Sequence, residues 1–513
     1  MIPRMEAEMM PLNKPRIRRG FLAWSLAVAC SLSGAGILSA QTAAPTPAAG
    51  ISKEPQPTPS GALPIDLPYA LRLVNASNPT IAIARERVRE AYARQQQANV
   101  LWVPNLWFGG NPDNLTLVPA FYHHDGQIQN SRGQILNTSK TEVALIAGTG
   151  LNFSIADAYF APRVARNLTA AEQARARVVT YNVQLDVALT YLELLRVYGA
   201  LAVVNEILAK AEIMLRDANT AERAGMNKTT ADANRARTEV ELRRKERLDW
   251  EGQAAVVSAR LAQLLLLDPS VDLVPADAKV LPLVIVPEDQ SLDDLLAIGL
   301  MSRPELAESR ALVAAALARW RQERTRPLLP TLQMAYYGAQ FGGGTPGVHN
   351  YGGRDDFLAQ ATWELKNGGL GNLFQARATR SQYNEANLHV TEVQAQVAAE
   401  VVAAAKLVRK RQLALHNAEE AVRQAEEMWT RLAKASFGMA VPAAKYDPLE
   451  PILAEQALHN ARMQYLDSVI DYNREQFRLF WAMGQPPLSA LPRATAVPVQ
   501  EPVEPPPSVP GQR

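Results

Sequence analysis

Glu142–Ile155, EVALIAGTGLNFSI, is the stretch on which the fold turns. Val143, Leu145, Ala147, Leu151, Phe153 and Ile155 fall on one face of an extended chain, and Glu142, Gly148, Gly150, Asn152 and Ser154 on the other. An apolar face opposite a polar one, at period two over about ten residues, is the pattern of a barrel strand, and equally of any half-buried strand. It returns in the second half of the chain, where Phe357, Ala359, Ala361, Trp363 and Leu365 alternate with Gln360, Thr362, Glu364 and Lys366. With the strand-like residues that begin at Asn105 and at Thr331, the chain carries four such strands, whereas a closed barrel needs about eight. Several copies would have to share one barrel.

The helices around these strands are far longer than a globular core requires. Ala161–Ala224 reads as one helix, roughly 96 Å long at 1.5 Å per residue, and the shorter helices reach roughly 55 Å. Two short helices stacked end to end would match one long one. On the long helix, Val178, Tyr181, Leu185, Ala188, Leu192 and Leu195 form one heptad-like seam, and Val187, Tyr191, Leu194, Tyr198, Leu201, Leu208 and Leu215 form a second. Leu185 and Val187 lie about 200° apart around the axis, so the seams sit on nearly opposite sides. A helix with two opposed seams touches a neighbour on each flank, as in the wall of a hollow cylinder; a helix in an ordinary bundle would show one broader stripe.

The pattern is written twice. Leu67-Pro68-Tyr69-Ala70-Leu71 with Asn78-Pro79 opens the first copy, and Leu292-Asp293-Asp294-Leu295-Leu296 with Arg303-Pro304 opens the second. At constant offset Pro79, Arg85, Val88, Ala91, Ala93 and Arg94 meet Pro304, Arg310, Val313, Ala316, Ala318 and Arg319, and one residue of slippage later Pro104 meets Pro330. Each copy reads helix, two strands, very long helix, turn, helix. The first places these at Leu67–Val103, strands from Asn105 and at Glu142–Ile155, Ala161–Ala224, and Thr229–Leu266. The second places them at Leu292–Arg326, Thr331–Phe341 and Phe357–Lys366, Gly371–Ala435, and Leu449–Ala482. The expected division is an export signal over 1–40, an Ala/Pro linker over 41–66, the first repeat over 67–266, a connection over 267–291, the second repeat over 292–484, and a Pro-rich tail over 485–513.

Lys14, Arg16, Arg18 and Arg19 precede an uncharged apolar run from Phe21 to Ala40, the charge pattern of an export signal. Two processing routes remain open: cleavage after Leu38-Ser39-Ala40, or lipidation at Cys30 within Ala27-Val28-Ala29-Cys30. Beyond this segment no run of about 18 apolar residues without charge occurs. An exported protein that spans a membrane without such a run does so as a β-barrel. A net charge of +2 makes no case for nucleic acid. Cys30 is the single cysteine, and the six histidines (His123, His124, His349, His389, His416, His459) show no metal-ligand spacing and read as surface or loop residues.

The duplicated order, with these lengths, resembles the TolC-type outer-membrane efflux family over nearly all of Leu67–Gly484. The features that carry the resemblance are the paired Leu-rich starts, Pro104 and Pro330 leading into strands, and Asn367-Gly368-Gly369-Leu370-Gly371 before the second long helix. Gly225 followed by Asp232-Ala233-Asn234-Arg235-Ala236-Arg237, and Gly438 followed by Leu453-Ala454-Glu455-Gln456-Ala457-Leu458, are similar to that family's periplasmic tips. The resemblance implies a mostly α chain with a shared transmembrane β-barrel: a homotrimer with a helical tunnel and a 12-stranded barrel, four strands per subunit, in outer-membrane lipid. It also implies docking of a periplasmic adaptor, and through it an inner-membrane pump, at tips marked by Gly225, Asp232 and Gly438. Acidic residues beyond the second turn narrow the tunnel in related channels, which makes Asp447, Glu450 and Glu455 gate candidates. Here the sequence departs from the family: Gly438–Leu453 is several residues long for such a turn and contains Pro442, Pro448 and Pro451, and Ala454 stands where an acid is expected.

Three classes of function compete. A passive conduit for efflux or type I secretion accounts for helices, strands and export together. An exported coiled-coil scaffold or adaptor without a pore leaves the alternating strands unexplained. An enzyme fits worst: Gly342-Gly343-Gly344 lacks the lysine and helix of a phosphate loop, and no nucleophile–His–acid set, metal spacing or cofactor motif stands out.

Overall fold

Asp66 opens the first helix by accepting a hydrogen bond from the Tyr69 amide at 2.6 Å, and Asn78 closes it. Pro79 has no amide hydrogen to continue the ladder, so the run read above as one helix from Leu67 to Val103 is two, α1 (Leu67–Ser77) and α2 (Pro79–Asn99). Asn78 caps α2 by accepting from Thr80 N at 2.9 Å and donates to Leu264 O at 2.9 Å. Arg303-Pro304 divides the second predicted helix in the same way, into α5 (Leu292–Ser302) and α6 (Pro304–Thr325). The computed structural model describes residues 62–109, 119–129, 135–223, 230–277, 280–287, 289–344, 349–437 and 449–490.

The remaining elements are β1 (Leu63–Ile65), β2 (Asn105–Gly109), β3 (Pro119–Gln129), β4 (Ile135–Ser154), α3 (Ile155–Arg223), α4 (Thr230–Leu265), β5 (Leu273–Pro275), β6 (Thr331–Gly344), β7 (His349–Thr362), α7 (Leu370–Phe437) and α8 (Leu449–Ala482). The chain is mostly helical. The 69 residues of α3 and 68 of α7 each span about 100 Å.

α3 is flanked by α2 and α4 and by α6 and α8, and α7 lies against α6 and α8. Along α3 the partners change hands. Thr169 donates to Ala91 O of α2, and Asp157 accepts from Gln322 and Arg326 beside α6. Further along, Glu212 and Asn219 accept from Arg244 and Arg237 of α4, and Asn182 accepts from Trp481 of α8. Short helices therefore succeed one another beside the long one, as the lengths predict.

The middle of α3 is not a two-seam wall helix. From Val187 to Ala200 no position is exposed and most are buried, Val187, Tyr191, Leu192 and Leu194 completely. The apolar stretch of this helix is long enough by composition to cross a membrane, but more than half of it is buried against the protein's own elements. β1 and β5 pair in parallel, and with α1, α4 and α8 they enclose Ile65, Leu71, Tyr191, Leu261, Leu265, Ile470 and Phe477. The Tyr191 hydroxyl donates to Asp277 Oδ2 at 2.6 Å. A second cluster joins Leu295, Leu306, Val397, Val401, Tyr472 and Leu479 across α5, α6, α7 and α8. The irregular connection between the halves is held by buried amides. Asn473 accepts from Leu283 N at 2.7 Å and donates to Leu281 O at 2.9 Å, and Gln476 accepts from Val286 N at 3.0 Å.

The junction before α6 is an ionic anchor. Arg303, almost fully buried, donates to Glu400 of α7 and to Trp481 O of α8, meets Glu305 at 3.1 Å and lies 4.1 Å from the Trp481 ring centroid. Beside it Gly484 has φ +74°, and a Cβ there would stand 2.7 Å from Arg303 N and from Ser302 C. Arg303→Ala removes the ion-pair partner of Glu400, which keeps only its bond from Gln396, and is expected to cost about 3 kcal/mol; Arg303→Lys, lacking the planar fork, does not restore it. Gly484→Ala should lower the thermal midpoint in detergent, followed by circular dichroism, because backbone atoms cannot yield. Gly252→Ala in α4, with open space around it, should leave the midpoint unchanged or raise it.

Candidate functional site: sheet faces and helix-tip cluster

β4 receives β6 on one side along Thr141–Ser154. Its other side holds β2 at Gly148–Asn152 and β3 at Ile135–Leu145. β2 and β3 thus occupy successive lengths of one position, and the sheet is four positions wide, ending at β7. β3 lies between the strands expected from Asn105 and at Glu142, where alternation predicts none, and β4 begins seven residues earlier than expected. β7 begins at His349 and ends at Thr362, so Trp363–Lys366 lies beyond it. The β3–β4 pair runs six residues past the end of β6, about 20 Å at strand rise.

Register sets the two faces. Leu106, Leu151, Met334 and Ala359 are neighbours across the sheet, as are Tyr336 and Phe357. Leu106, Met334, Tyr336 and Phe357 are all exposed. On the other face Asn152, Gln333 and Gln360 are in register, and Gln360 donates to Gln333 at 2.7 Å. One face is apolar and bare, the other polar, and no described strand covers the outer edge of β7 or of β2. From β7 the chain turns directly into α7 through Lys366–Gly369, where Asn367, Gly368 and Gly369 all have positive φ. β4 passes into α3 without a break.

At the far end of the helices lies a buried ionic cluster. Glu239, Arg243 and Glu246 share a face of α4, and Glu455, Gln456 and His459 meet them from α8. Arg243 donates to Glu239 Oε1 and to Glu246 Oε2, each at 2.6 Å, and Gln456 donates to Glu239 Oε2 at 3.0 Å. His459 Nε2 lies 3.1 Å from Glu246 Oε1. Glu455 is completely buried, 3.6 Å from Arg243 Nε, and neither of its oxygens receives a hydrogen bond. Burial, reinforced by Glu239, pushes its carboxyl up to about 8, against the pull of Arg243 and Lys210. Burial and Arg243 lower the His459 imidazole below its ordinary value. Beside this cluster Arg462 of α8 ties Glu206 of α3 to Glu426 of α7.

Of the gate candidates, Glu450 is exposed on the first turn of α8, Glu455 faces α4 inside the chain, and Asp447 lies outside the described residues. Asp232 is in the first turn of α4; Gly225, Gly438 and Cys30 lie outside the described residues. Ala454 is buried. His459 corrects the expectation of surface histidines: its ring is enclosed between α8 and α4 because Glu246 offers it a partner there. Glu239, Arg243 and His459 were not singled out from sequence. Their only signal was helical spacing, Glu239 to Arg243 and Glu455 to His459 each four apart. Among the described residues no His, Cys, Asp and Glu group is arranged to hold a metal.

No family model and no curated protein sequence matches the chain. Solved structures do. The outer-membrane protein VceC of Vibrio cholerae superposes with a TM-score of 0.64 at 16% identity, over 82% of this chain and 96% of that one. The CmeC outer-membrane channel of Campylobacter jejuni gives 0.61 at 14%, over 82% and 85%. The open state of the Neisseria gonorrhoeae MtrE outer-membrane channel gives 0.60 at 14%, over 82% and 89%. The chain has the fold of these TolC-type outer-membrane channels.

Proposed function

We propose that the chain is one subunit of a bacterial outer-membrane channel, the passive exit duct of a tripartite efflux or type I secretion system. The observation that carries this is the four-position sheet: one bare apolar face, one polar face, uncovered edges, and strands that run straight into helices about 100 Å long. Backbone groups at a sheet edge cannot be left unpaired in lipid. Three copies supply twelve strand positions, enough to close a barrel with the polar face inward. The helices then continue as a periplasmic tunnel, and cargo passes without chemistry. The fold it shares with channel proteins supports this reading over an enzyme. A scaffold without a pore would leave Leu106, Met334, Tyr336 and Phe357 in water.

In this reading the export signal and the tail flank the two repeats, and Cys30 is either removed or lipidated. The segments that contain Gly225 and Gly438, with Asp232, are the proposed contacts for a periplasmic adaptor and through it an inner-membrane pump. Glu450, exposed on the first turn of α8, is the described acid proposed to line the tunnel mouth, and Asp447 is a second candidate from sequence alone.

Cysteines placed singly at Ser131, between β3 and β4, and at Asn227, between α3 and α4, test the orientation. In intact Gram-negative cells a membrane-impermeant thiol reagent should label the Ser131 variant and spare the Asn227 variant. Labelling of both only after the outer membrane is permeabilised would make the chain a periplasmic scaffold instead. On the apolar face, Met334→Arg is expected to cost about 2–4 kcal/mol and to reduce oligomer recovered from membranes. Gln333→Arg, on the polar face, should assemble normally.

A further inference from the structure

Glu455 is out of place by every ordinary rule for a carboxylate. It has no exposed surface, neither oxygen accepts a hydrogen bond, and a second buried carboxylate, Glu239, acts on it from across the interface. Arg243 is the one cation within ion-pair distance of it among the described residues, and that guanidinium already serves Glu239 and Glu246 at 2.6 Å while standing 3.6 Å from Glu455. Two anions and an overcommitted arginine do not satisfy a buried site. A proton on Glu455 does: the carboxyl then donates to Glu239, whose oxygens already accept from Arg243 and Gln456, and one negative charge disappears from the interior.

We infer that Glu455 carries a proton that it donates to Glu239, and that this contact forms a pH-released latch between α4 and α8 near the helix tips. The groups facing it can be named element by element. α4 contributes Glu239, Arg243 and Glu246; α8 contributes Gln456 and His459; α3 contributes Lys210, held by Glu206 at 2.8 Å; α7 contributes Glu426 through Arg462. Apolar packing brackets the pair, with Val240 and Ile452 in one cluster and Ile207 and Leu458 in the next. The latch lies six residues into α8 and nine into α4, near the start of both helices.

The direction of its response follows from linkage. Detached, the Glu455 carboxyl returns to its ordinary 4.5; docked, it sits at about 8. Docking therefore takes up a proton between those values. Its contribution is complete below the lower value, declines through the window, and is gone above the higher. His459 acts oppositely. Its lowered value means that docking weakens again as acid forces a charge onto the ring beside Arg243. The latch is tightest between these limits and opens on the alkaline side by ionisation of Glu455. The same proton would set how firmly the tunnel mouth is held, a consequence that rests on the channel reading above, whereas the latch itself does not.

Hydrogen exchange of the full-length protein in detergent, read by mass spectrometry on peptides covering 449–462, tests it. After correction for intrinsic exchange, the wild type should lose on the order of ten- to a hundredfold in protection between about pH 6 and pH 9. Glu455→Gln keeps the donor to Glu239 and cannot ionise, so its protection should stay level across that range. Glu239→Gln removes the like charge and frees Arg243 to pair with an ionised Glu455, so the loss should stop at lower pH and be smaller across that range. A wild type with level protection, or a Glu455→Gln variant that loses it as the wild type does, overturns the latch. Planar-bilayer conductance of the same samples separates the two claims. A pH-dependent exchange that Glu455→Gln abolishes, with no pores in any sample, would sink the channel reading and leave the latch standing.

Discussion

A helix about 100 Å long has no core of its own, and everything else in this chain is arranged to give α3 one. Most of its stability has to come from lateral burial, since propensity alone holds long helices only marginally. No single helix here matches its length except α7, so its two flanks are covered in relays: α2 then α4 on one side, α6 then α8 on the other. The breaks at Asn78 and Arg303 belong to this scheme. They end short helices where a flank changes occupant, and each is fastened by buried polar contacts instead of being left to fray.

Polar burial is used in two different ways along the molecule. At the waist Asn473, Gln476 and Ser258 answer backbone groups of the segments around Leu273 and Leu283, and each bond removes a donor or acceptor that would otherwise be stranded. At the tip Glu455 and His459 are buried with atoms unanswered. The first kind of site is insensitive to pH over the range in which proteins work, because amides and hydroxyls do not titrate there. The second changes charge within it. Rigidity and responsiveness are thereby placed at opposite ends of α8.

Sequence reading recovered the elements whose physics is local. α8 was placed at Leu449–Ala482, as found, because its periodicity is bounded by prolines and a final glycine. α3, α4 and α7 were placed to within a few residues for the same reason, α3 least closely at its start. Faces of β4 and β7 were legible from alternation. β3 was not, because Tyr122-His123-His124-Asp125-Gly126 has no apolar face to alternate, and a strand that extends beyond the apolar band needs none. The start of β4 at Leu136-Asn137-Thr138-Ser139-Lys140 was hidden in the same way. Burial of the middle of α3 was missed because α1, β5 and the inter-repeat segment come from distant parts of the chain. The tip cluster was illegible for that reason too: Glu239 and Glu455 are 216 positions apart, and nothing in either neighbourhood announces the other.

The amide clasp of Asn473 and Gln476 on Leu281–Val286 has a mechanical meaning. It pins α8 to the segment joining the two halves, about 36 Å along the helix from Leu449. Beyond that pin, release of the Arg462 ties to Glu206 and Glu426 would let the helix pivot about the clasp. A swing of about 10° there would carry the far end through roughly 6 Å, the width of a small solute, while hardly moving the hydrophobic contacts at the waist. One end of α8 can thus shift without disturbing the hydrophobic packing at the other.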